Sequence, residues 1–438
     1  MPRLPIQVSK MATRNHRHVC YVVPPYMLNA IAESSHNLDR IRESARYALN
    51  LHKTYCEKRE KRFAALSAPR GSKAANVHRQ QAIVPDHMLE HIASCEDVDD
   101  DTRACAKRDL EHIRSIHAKY QATQGLHAES SDQKAGITTE KASDTAEKTY
   151  RAVYDAGHDS NEANLPGKVV RVEGQKASND ESANEAYDNA GLVLSFYADI
   201  FNWKSIDNKN MHVISSVHFG QNYENAFWDP EIAQMVYGDG HDFLTNFTGC
   251  IDVIGHELTH AVTEHTSPLD YMGQSGALNE HVSDVFGIMI KQRVEDETAD
   301  KADWLIGEYC LMPGVKGVAL RSMKAPGTAY NDPRFGKDPQ PAHFKDYRLT
   351  FEDNGGVHLY SGIPNKAFYN ASVAFGGYSW EKAGKIWWET MNSGQIPSRC
   401  TFIQFADVTV DKAEELFGAD AAAIVRKAWN DVGVARKS

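Results

Sequence analysis

Apolar and polar positions change their beat along this chain, and each change marks a boundary between elements. In "VVPPYMLNAIAES", residues 22 to 34, prolines pre-set a helix start and Met27, Leu28 and Ile31 give the turn that follows an apolar face. The pattern returns as "IVPDHMLEHIASC" at 83 to 95, with Val23/Val84, Pro24/Pro85, Met27/Met88, Leu28/Leu89, Ile31/Ile92 and Ala32/Ala93 in one register. A charged helical stretch follows each copy, where Arg42/Arg103, Ala45/Ala106 and Leu49/Leu110 also line up. A duplicated small module explains this most economically, with copies at 18–62 and 81–121 inside a region covering 1–121. Residues 122–147 are small, polar and short of aromatics, which predicts an exposed linker open to proteolysis.

Beyond the linker the period shortens. "YRAVYDA", "GKVVRVEG", "HVISSVHFG" and "AQMVYGDG" are β-branched or aromatic runs bounded by Gly and Asp, and they predict strands. After Asp252 helical periods take over nearly to the end, as in "NEHVSDVFGIMIKQRV" and "DAAAIVRKAWNDVGV". The chain thus divides into a β-rich lobe at 148–265 and a helical lobe at 266–438, an α+β organisation.

Composition narrows the class of protein. At 438 residues there is length for two or three cores, and the apolar and charged fractions are ordinary for a globular chain. A formal net charge of −11 argues against nucleic acid or an anionic membrane as the main partner, and no apolar run approaches a membrane span. The N-terminal stretch lacks the apolar block of a Sec signal, which predicts a cytoplasmic location or export by a non-classical route. Seven cysteines without Cys-x-x-Cys spacing indicate neither a zinc finger nor a dense disulfide framework, and fit a reducing compartment.

Candidate chemistry lies at the seam of the lobes, in "DVIGHELTHAVTEHT". On a helix His256 and His260 share one face and can reach one ion, while Glu257 points beside it, as suits a general base. A catalytic zinc needs a third protein ligand and an open position. Twenty residues past His260, Glu280 and Asp284 are again four apart; Glu280 can complete the set, and Asp284 can accept the free ring N–H of a liganding His. A further His on the same helix as third ligand fails, because Thr263 and Thr266 stand where Gly and His are required.

"HELTH", "GALNEHVSDVFG", "NAFW" at 225–228, "DNGGVHLYSGIPNKAFY" at 353–369, "LRSM" at 320–323 and "AWNDVGV" together resemble the thermolysin family of neutral metalloproteases over roughly 148–438. The resemblance implies a two-lobed zincin fold, a single zinc on His256, His260 and Glu280, and peptide or protein substrates. It further implies Glu257 as base, His358 and Tyr271 as oxyanion donors, and Asp353 as the group orienting His358. Asn225 and Ala226 correspond to the edge that pairs with extended substrate, and Arg321 to a clamp on its carbonyl. Val253, Ile306, Leu320 and Phe247 fall where the family builds its leaving-side pocket, which implies cleavage before a hydrophobic residue; ordinary core packing is the rival reading of the four.

The Pro24, Pro25, Tyr26, Met27, Leu28 element is similar to the short precursor segment of the protealysin-like subgroup, implying an intramolecular inhibitor and a zymogen. Pro85, Met88 and Leu89 repeat it, with Asp86 in place of the second proline, which leaves open whether the first copy, the second or both do the masking. A thiolate from Cys20 or Cys95 on the zinc is a minor alternative. Relative to the family's double calcium site, Lys291 and Leu305 replace two ligands, leaving Asp252, Asp303 and Glu308; at most one Ca²⁺ is expected. Two other classes compete: an inactive zinc-binding protein, which the presence of Glu257, Tyr271 and His358 disfavours, and an aminopeptidase, for which no acidic cluster for a substrate amine is evident.

Overall fold

The structure is a computed structural model that describes residues 21–66 and 149–435, apart from 230–231, 242–243, 246, 335 and 351–352. The second copy, with Pro85, Met88 and Leu89, and the 122–147 linker lie outside the described residues, as do Cys20 and Cys95.

The predicted strands form as expected, with one addition. β1 (Arg151–Asp155), β2 (Lys168–Val172), β3 (Val213–Val217) and β5 (Gln234–Tyr237) are joined by β4 (Ala226–Asp229) in one sheet of order β2-β1-β3-β5-β4. β1, β3 and β5 run parallel, and antiparallel β2 and β4 close the two sides. β3 and β5 are buried along their whole length, as strands of a covered sheet are, with the buried Gln234 donating to Ser216 and Ser216 to the Pro166 carbonyl. The 21-residue helix α3 (Glu181–Phe201) covers β1 and β3, capped by Asp180, whose side chain accepts the Ala183 N–H.

The seam consists of two helices, α4 (Ile251–His265) and α5 (Gly273–Glu295). Twelve of the fifteen residues of α4 are buried, so its metal-binding face is turned inward. The two helices cross where glycine faces glycine: a Cβ on Gly255 would lie 3.1 Å from the Gly287 Cα, and one on Gly287 would lie 2.6 Å from the Asp252 carbonyl oxygen. That absence of side chains brings the backbones close enough for ligands from both helices to meet. Tyr197 of α3 stacks on Phe286 of α5 and its hydroxyl lies 2.7 Å from Thr259 Oγ1 of α4, fixing the pair against the β-lobe.

The expectation of helix nearly to the C-terminus needs correction. Between Glu295 and Asp353 the chain is mostly irregular, held by short antiparallel rungs of β6 (Leu305–Ile306) with β7 (Arg321–Ser322) and β8 (Asn331–Asp332) with β9 (Gly336–Lys337). Pro313, Pro326, Pro333, Pro339 and Pro341, with intervening glycines, deny it the donors and backbone stiffness of a helix. Helices return as α6 (Asp353–Tyr360), α7 (Gly362–Phe375), α8 (Ala383–Asn392), α9 (Phe402–Phe417) and α10 (Ala419–Asp431). Their core includes Trp387 stacked on Trp429, whose indole N–H donates to Thr409 Oγ1 at 2.8 Å.

The first copy of the repeat is helical as predicted. α1 (Pro25–Glu33) starts at the proline, buries Met27, Leu28, Ile31 and Ala32, and packs on α2 (Asp39–Leu66).

Candidate metal centre and cleft

The spacing of four in His-Glu-x-x-His puts both imidazoles on the buried face of α4, and α5 brings Glu280 to them. The ring Nε2 atoms of His256 and His260 lie 3.1 Å apart, with the Glu280 carboxylate 3.4 and 3.6 Å from them. These three ligand atoms, all within 4.8 Å of one another, are the one such trio of His, Cys, Asp or Glu among the described residues. The opposite ring nitrogens are already engaged: His256 Nδ1 donates to Asp284 Oδ1 at 2.8 Å, and His260 Nδ1 to Asn279 Oδ1 at 2.7 Å. With the protons held at Nδ1, both Nε2 lone pairs point at one place, the donor set of a two-imidazole, one-carboxylate zinc site.

Electrostatics agree with that fit. Burial holds His260 down, to about 4, as a neutral imidazole. Burial also opposes charge on His256, but the Asp284 and Glu280 carboxylates overcome it and raise that ring to about 9. The centre therefore attracts a cation, and a divalent ion would take the place of that proton. Glu257 is not one of the three ligands, but its buried carboxylate lies close enough to His256 and Glu280 to feel their charges. One of its carboxylate oxygens accepts the Trp228 N–H at 3.0 Å and the other has no hydrogen-bond partner among the described residues. Burial pushes its carboxyl up to about 8.

Around Glu280 the other sequence-predicted groups converge. Tyr271 donates its hydroxyl to Glu280 Oε1, and His358 Nε2 lies 3.3 Å from that hydroxyl and 3.5 Å from Glu280 Oε2. Asp353 receives both the backbone N–H of His358, at 2.9 Å, and its Nδ1–H, at 2.7 Å. The sequence "DNGG" makes this possible: four successive residues, Asp353 to Gly356, have φ between 50° and 83°, and the resulting turn folds the carboxylate back under the ring. A Cβ on Gly355 would lie 2.9 Å from the Gly273 backbone nitrogen, so that turn also packs against the start of α5.

Arg321 grips Asp284 with two nitrogens, at 2.7 and 2.9 Å, and Asn365 donates to the same carboxylate at 2.8 Å. Burial opposes its charge, but with the Arg321 guanidinium adjacent and the His256 ring and Asn365 amide donating to it, Asp284 is held ionised. Asn279, Ser283 and Asn365 were missed in the sequence. Asn279 and Ser283, both at His260 Nδ1, are four apart, one position ahead of Glu280 and Asp284, so the helical spacing already carried the signal. Asn365 lies 81 residues from Asp284 and no local pattern announces it.

The cleft beside the centre is filled by the first copy of the repeat. Val22 donates its N–H to the Ala226 carbonyl, 3.3 Å, on the outer strand β4. Asn225 binds Val23 twice, accepting its N–H at 2.9 Å and donating to its carbonyl at 3.2 Å. Arg321 donates to the Val22 carbonyl at 3.2 Å. The segment thus lies along the sheet edge, tied to β4 by one backbone hydrogen bond and by the Asn225 side chain, and Arg321 also contacts it. Val253, Ile306, Leu320 and Phe247 are buried in the same apolar cluster as Val22 and Val23. At the far end of α1, Ser34 donates to the Pro333 carbonyl and Asn37 to the Arg334 carbonyl, 2.6 Å, so one module grips both lobes.

The expected calcium region is occupied by a cation of the chain itself. Lys291 Nζ lies 2.9 Å from Asp303, 3.0 Å from Glu308 and 3.4 Å from the Leu305 carbonyl, while Asp252 accepts the Gly307 N–H at 2.7 Å.

Residues 114–264 match the family described as thermolysin metallopeptidase, catalytic domain, and 267–434 match its alpha-helical domain. Residues 81–125, the second copy, match the protealysin propeptide. An extracellular metalloprotease of Pectobacterium carotovorum subsp. carotovorum is 43% identical over 81% of this chain and 96% of its own length. The extracellular minor metalloprotease of Serratia marcescens is 37% identical, over 69% and 80%. The solved precursor of protealysin from Serratia proteamaculans superposes with a TM-score of 0.64 at 45% identity, covering 81% of this chain and all of that one. These relatives overturn the expected cytoplasmic or non-classical location: their names place them outside the cell, and the reducing compartment inferred from cysteine spacing falls with it. Absence of a recognisable apolar leader was too weak an observation to carry that expectation.

Proposed function

Because this chain belongs to the thermolysin metallopeptidase family, as a zinc-dependent endopeptidase with a propeptide that inhibits it intramolecularly, we propose the following division of labour among its residues. The observation that carries it is the convergence of His256, His260 and Glu280 from two helices, with the Glu257 carboxylate buried next to them. His256, His260 and Glu280 would hold the zinc, which would supply Lewis acidity toward water and the scissile carbonyl. Glu257 would take a proton from the attacking water and pass it to the leaving amine. Tyr271 and His358 donate hydrogen bonds to the oxyanion: burial opposes charge on His358, but the Glu280 and Asp353 carboxylates raise its pKa and favour the doubly protonated ring, so that Asp353 takes the Nδ1–H and an Nε2–H faces the reaction. Substrate lies as an added strand along β4, held by Asn225, the Ala226 carbonyl and Arg321, the groups that now hold Val22 and Val23. Val253, Ile306, Leu320 and Phe247 wall an apolar pocket for the residue following the cut bond. In keeping with the extracellular relatives, we infer secretion, with the linker at 122–147 as the cut that separates the inhibitory region, 1–121, from the lobes at 148–265 and 266–438. Lys291 neutralises Asp303 and Glu308, which leaves room for one Ca²⁺ at most.

We further infer that both copies of the repeat fit the one cleft. Between 22–34 and 83–95 six positions are identical, and each of the six is buried in the first copy. Most positions that change are half-buried or exposed there. The second copy binds more weakly, because Asp109 stands at the buried position of Ala48 and Val98 removes the amide of Asn37.

Casein hydrolysis by the matured enzyme tests the reading. It should vanish with a zinc chelator, return on adding zinc, and fall on the order of 10³-fold in Glu257→Gln with zinc still bound. Full activity in Glu257→Gln would overturn the assigned base.

A further inference from the structure

We propose that Cys250 and Cys310 are joined by a disulfide in the secreted enzyme, a covalent link between the start of the metal-binding helix and the loop that follows β6. The two sulfurs lie 3.0 Å apart, far inside ordinary contact between sulfurs, and both residues are buried, at 1% and 0% exposure. Of the buried cysteines Cys250, Cys310 and Cys400, the first two are partnered with each other, whereas Cys400 donates its thiol to a backbone carbonyl. A pair of buried thiols can be mere small apolar filling. Three features of the surroundings favour the link.

First, each cysteine sits at a fixed point of backbone. Cys250 is the residue before α4, and its carbonyl accepts the N–H groups of Val253 and Ile254 at 3.1 Å. Cys310 closes a single 3₁₀ turn on Gly307 and accepts the Thr245 N–H at 3.0 Å. Second, the two segments are already tied on either side of the sulfurs, by Asp252 accepting the Gly307 N–H at 2.7 Å and by the antiparallel bridge of Leu244 with Leu311. Little movement is needed to bring the sulfurs to bonding distance. Third, relatives of this chain are extracellular, where oxidising conditions let disulfides form and persist.

The chemistry balances by exchange with an external disulfide, either a thiol–disulfide oxidoreductase in its oxidised form or oxidised glutathione. One cysteine thiolate attacks the donor disulfide and expels one donor thiolate; the second cysteine then displaces the other. The chain loses two protons and two electrons, and the donor leaves as two thiols. Burial keeps the finished thiols or disulfide from solvent, so the link forms while the chain folds, before α4 docks. It spans 60 residues, and its closure restricts the unfolded chain while anchoring the helix that carries His256 and His260.

The test refolds the full chain with oxidised glutathione, blocks free thiols with iodoacetamide in denaturant without reductant, and maps peptides by mass. The expected result is one species in which the Cys250 and Cys310 peptides are joined and neither is alkylated, in the refolded chain and in protein recovered from culture medium alike. Reduction should lower the thermal midpoint by on the order of 10 °C, and Cys250→Ala/Cys310→Ala should have a low midpoint that reductant no longer moves. Alkylation of both cysteines after oxidative refolding overturns the proposal, whether or not the chain is found outside cells. Should the double variant fail to fold, the peptide map of the unaltered chain still decides.

Discussion

Single side chains here act through the partner that holds them. His358 would be an ordinary loop histidine without Asp353, which binds both its backbone and its ring. Asp353→Asn keeps the shape but offers an amide to the ring, so kcat/KM should fall on the order of 10-fold to 100-fold, less than the 10²–10³-fold expected for His358→Ala. Equal losses in the two variants, with kcat untouched in both, would refute the assignment. Away from the cleft, His218 sits between Asp239, 2.7 Å, and Asp180, 3.0 Å, with His158 beside the same Asp239 carboxylate. Hydrogen bonding and charge from Asp239 and Asp180 raise His218 to about 9. A folded-state value above the unfolded one means that protonated His218 stabilises the fold fully below about 6.5, and that this contribution is lost as pH rises to about 9. The thermal midpoint of the natural chain minus that of His218→Gln should therefore shrink between pH 6 and pH 9. A difference independent of pH would show that His218 contributes nothing by its charge. At this scale the sequence was most informative where spacing is helical: His256, His260, Glu280 and Asp284 all lie where i, i+4 geometry puts them. It was silent on Asn365, whose approach to Asp284 depends on how α7 packs.

Between elements, the decisive contact is the crossing of α4 and α5. Nothing but glycine fits at 287, because any Cβ meets the Asp252 carbonyl at 2.6 Å. Gly287→Ala must push the helices apart and carry Glu280 away from the imidazoles, so zinc affinity should drop at least 10-fold along with stability. Zinc affinity unchanged in a folded Gly287→Ala chain would contradict that account. The periodicity of α4 and α5 was plain in the sequence, but their angle and closeness were not, since two glycines 32 residues apart carry no signal until the helices meet. β4 was likewise recognisable only by resemblance, through "NAFW", because four residues are too few for a period. The element that fills the cleft, residues 22–28, makes its own prediction. Met27→Asp/Leu28→Asp should expel the first copy, yet the intact chain should stay largely latent, since a tethered second copy competes at an effective concentration on the order of millimolar. Adding Met88→Asp/Leu89→Asp should release peptide-hydrolysing activity before any cut in the linker. Full activity from the first pair of substitutions alone would mean that the second copy does not bind.

At the scale of the whole molecule, one module bridges both lobes beside the metal centre: β4 and Arg321 hold its start, while Pro333 and Arg334 hold the residues at and just beyond the end of α1. The two lobes were legible from the change of period along the chain, since each lobe has its own. The irregular stretch between Glu295 and Asp353 was not, because its order comes from pairings such as Ile306 with Arg321 and not from local periodicity. Everything at the centre depends on a cation shared by α4 and α5. The most direct measurement is the metal content of the purified, dialysed chain, determined by elemental mass spectrometry for the natural sequence and for Glu280→Gln. About one zinc per natural chain, lost to a large extent in Glu280→Gln while the variant stays folded, is the predicted result. A natural chain that retains no zinc yet hydrolyses casein, or a Glu280→Gln chain that binds zinc as tightly as the original, would contradict it.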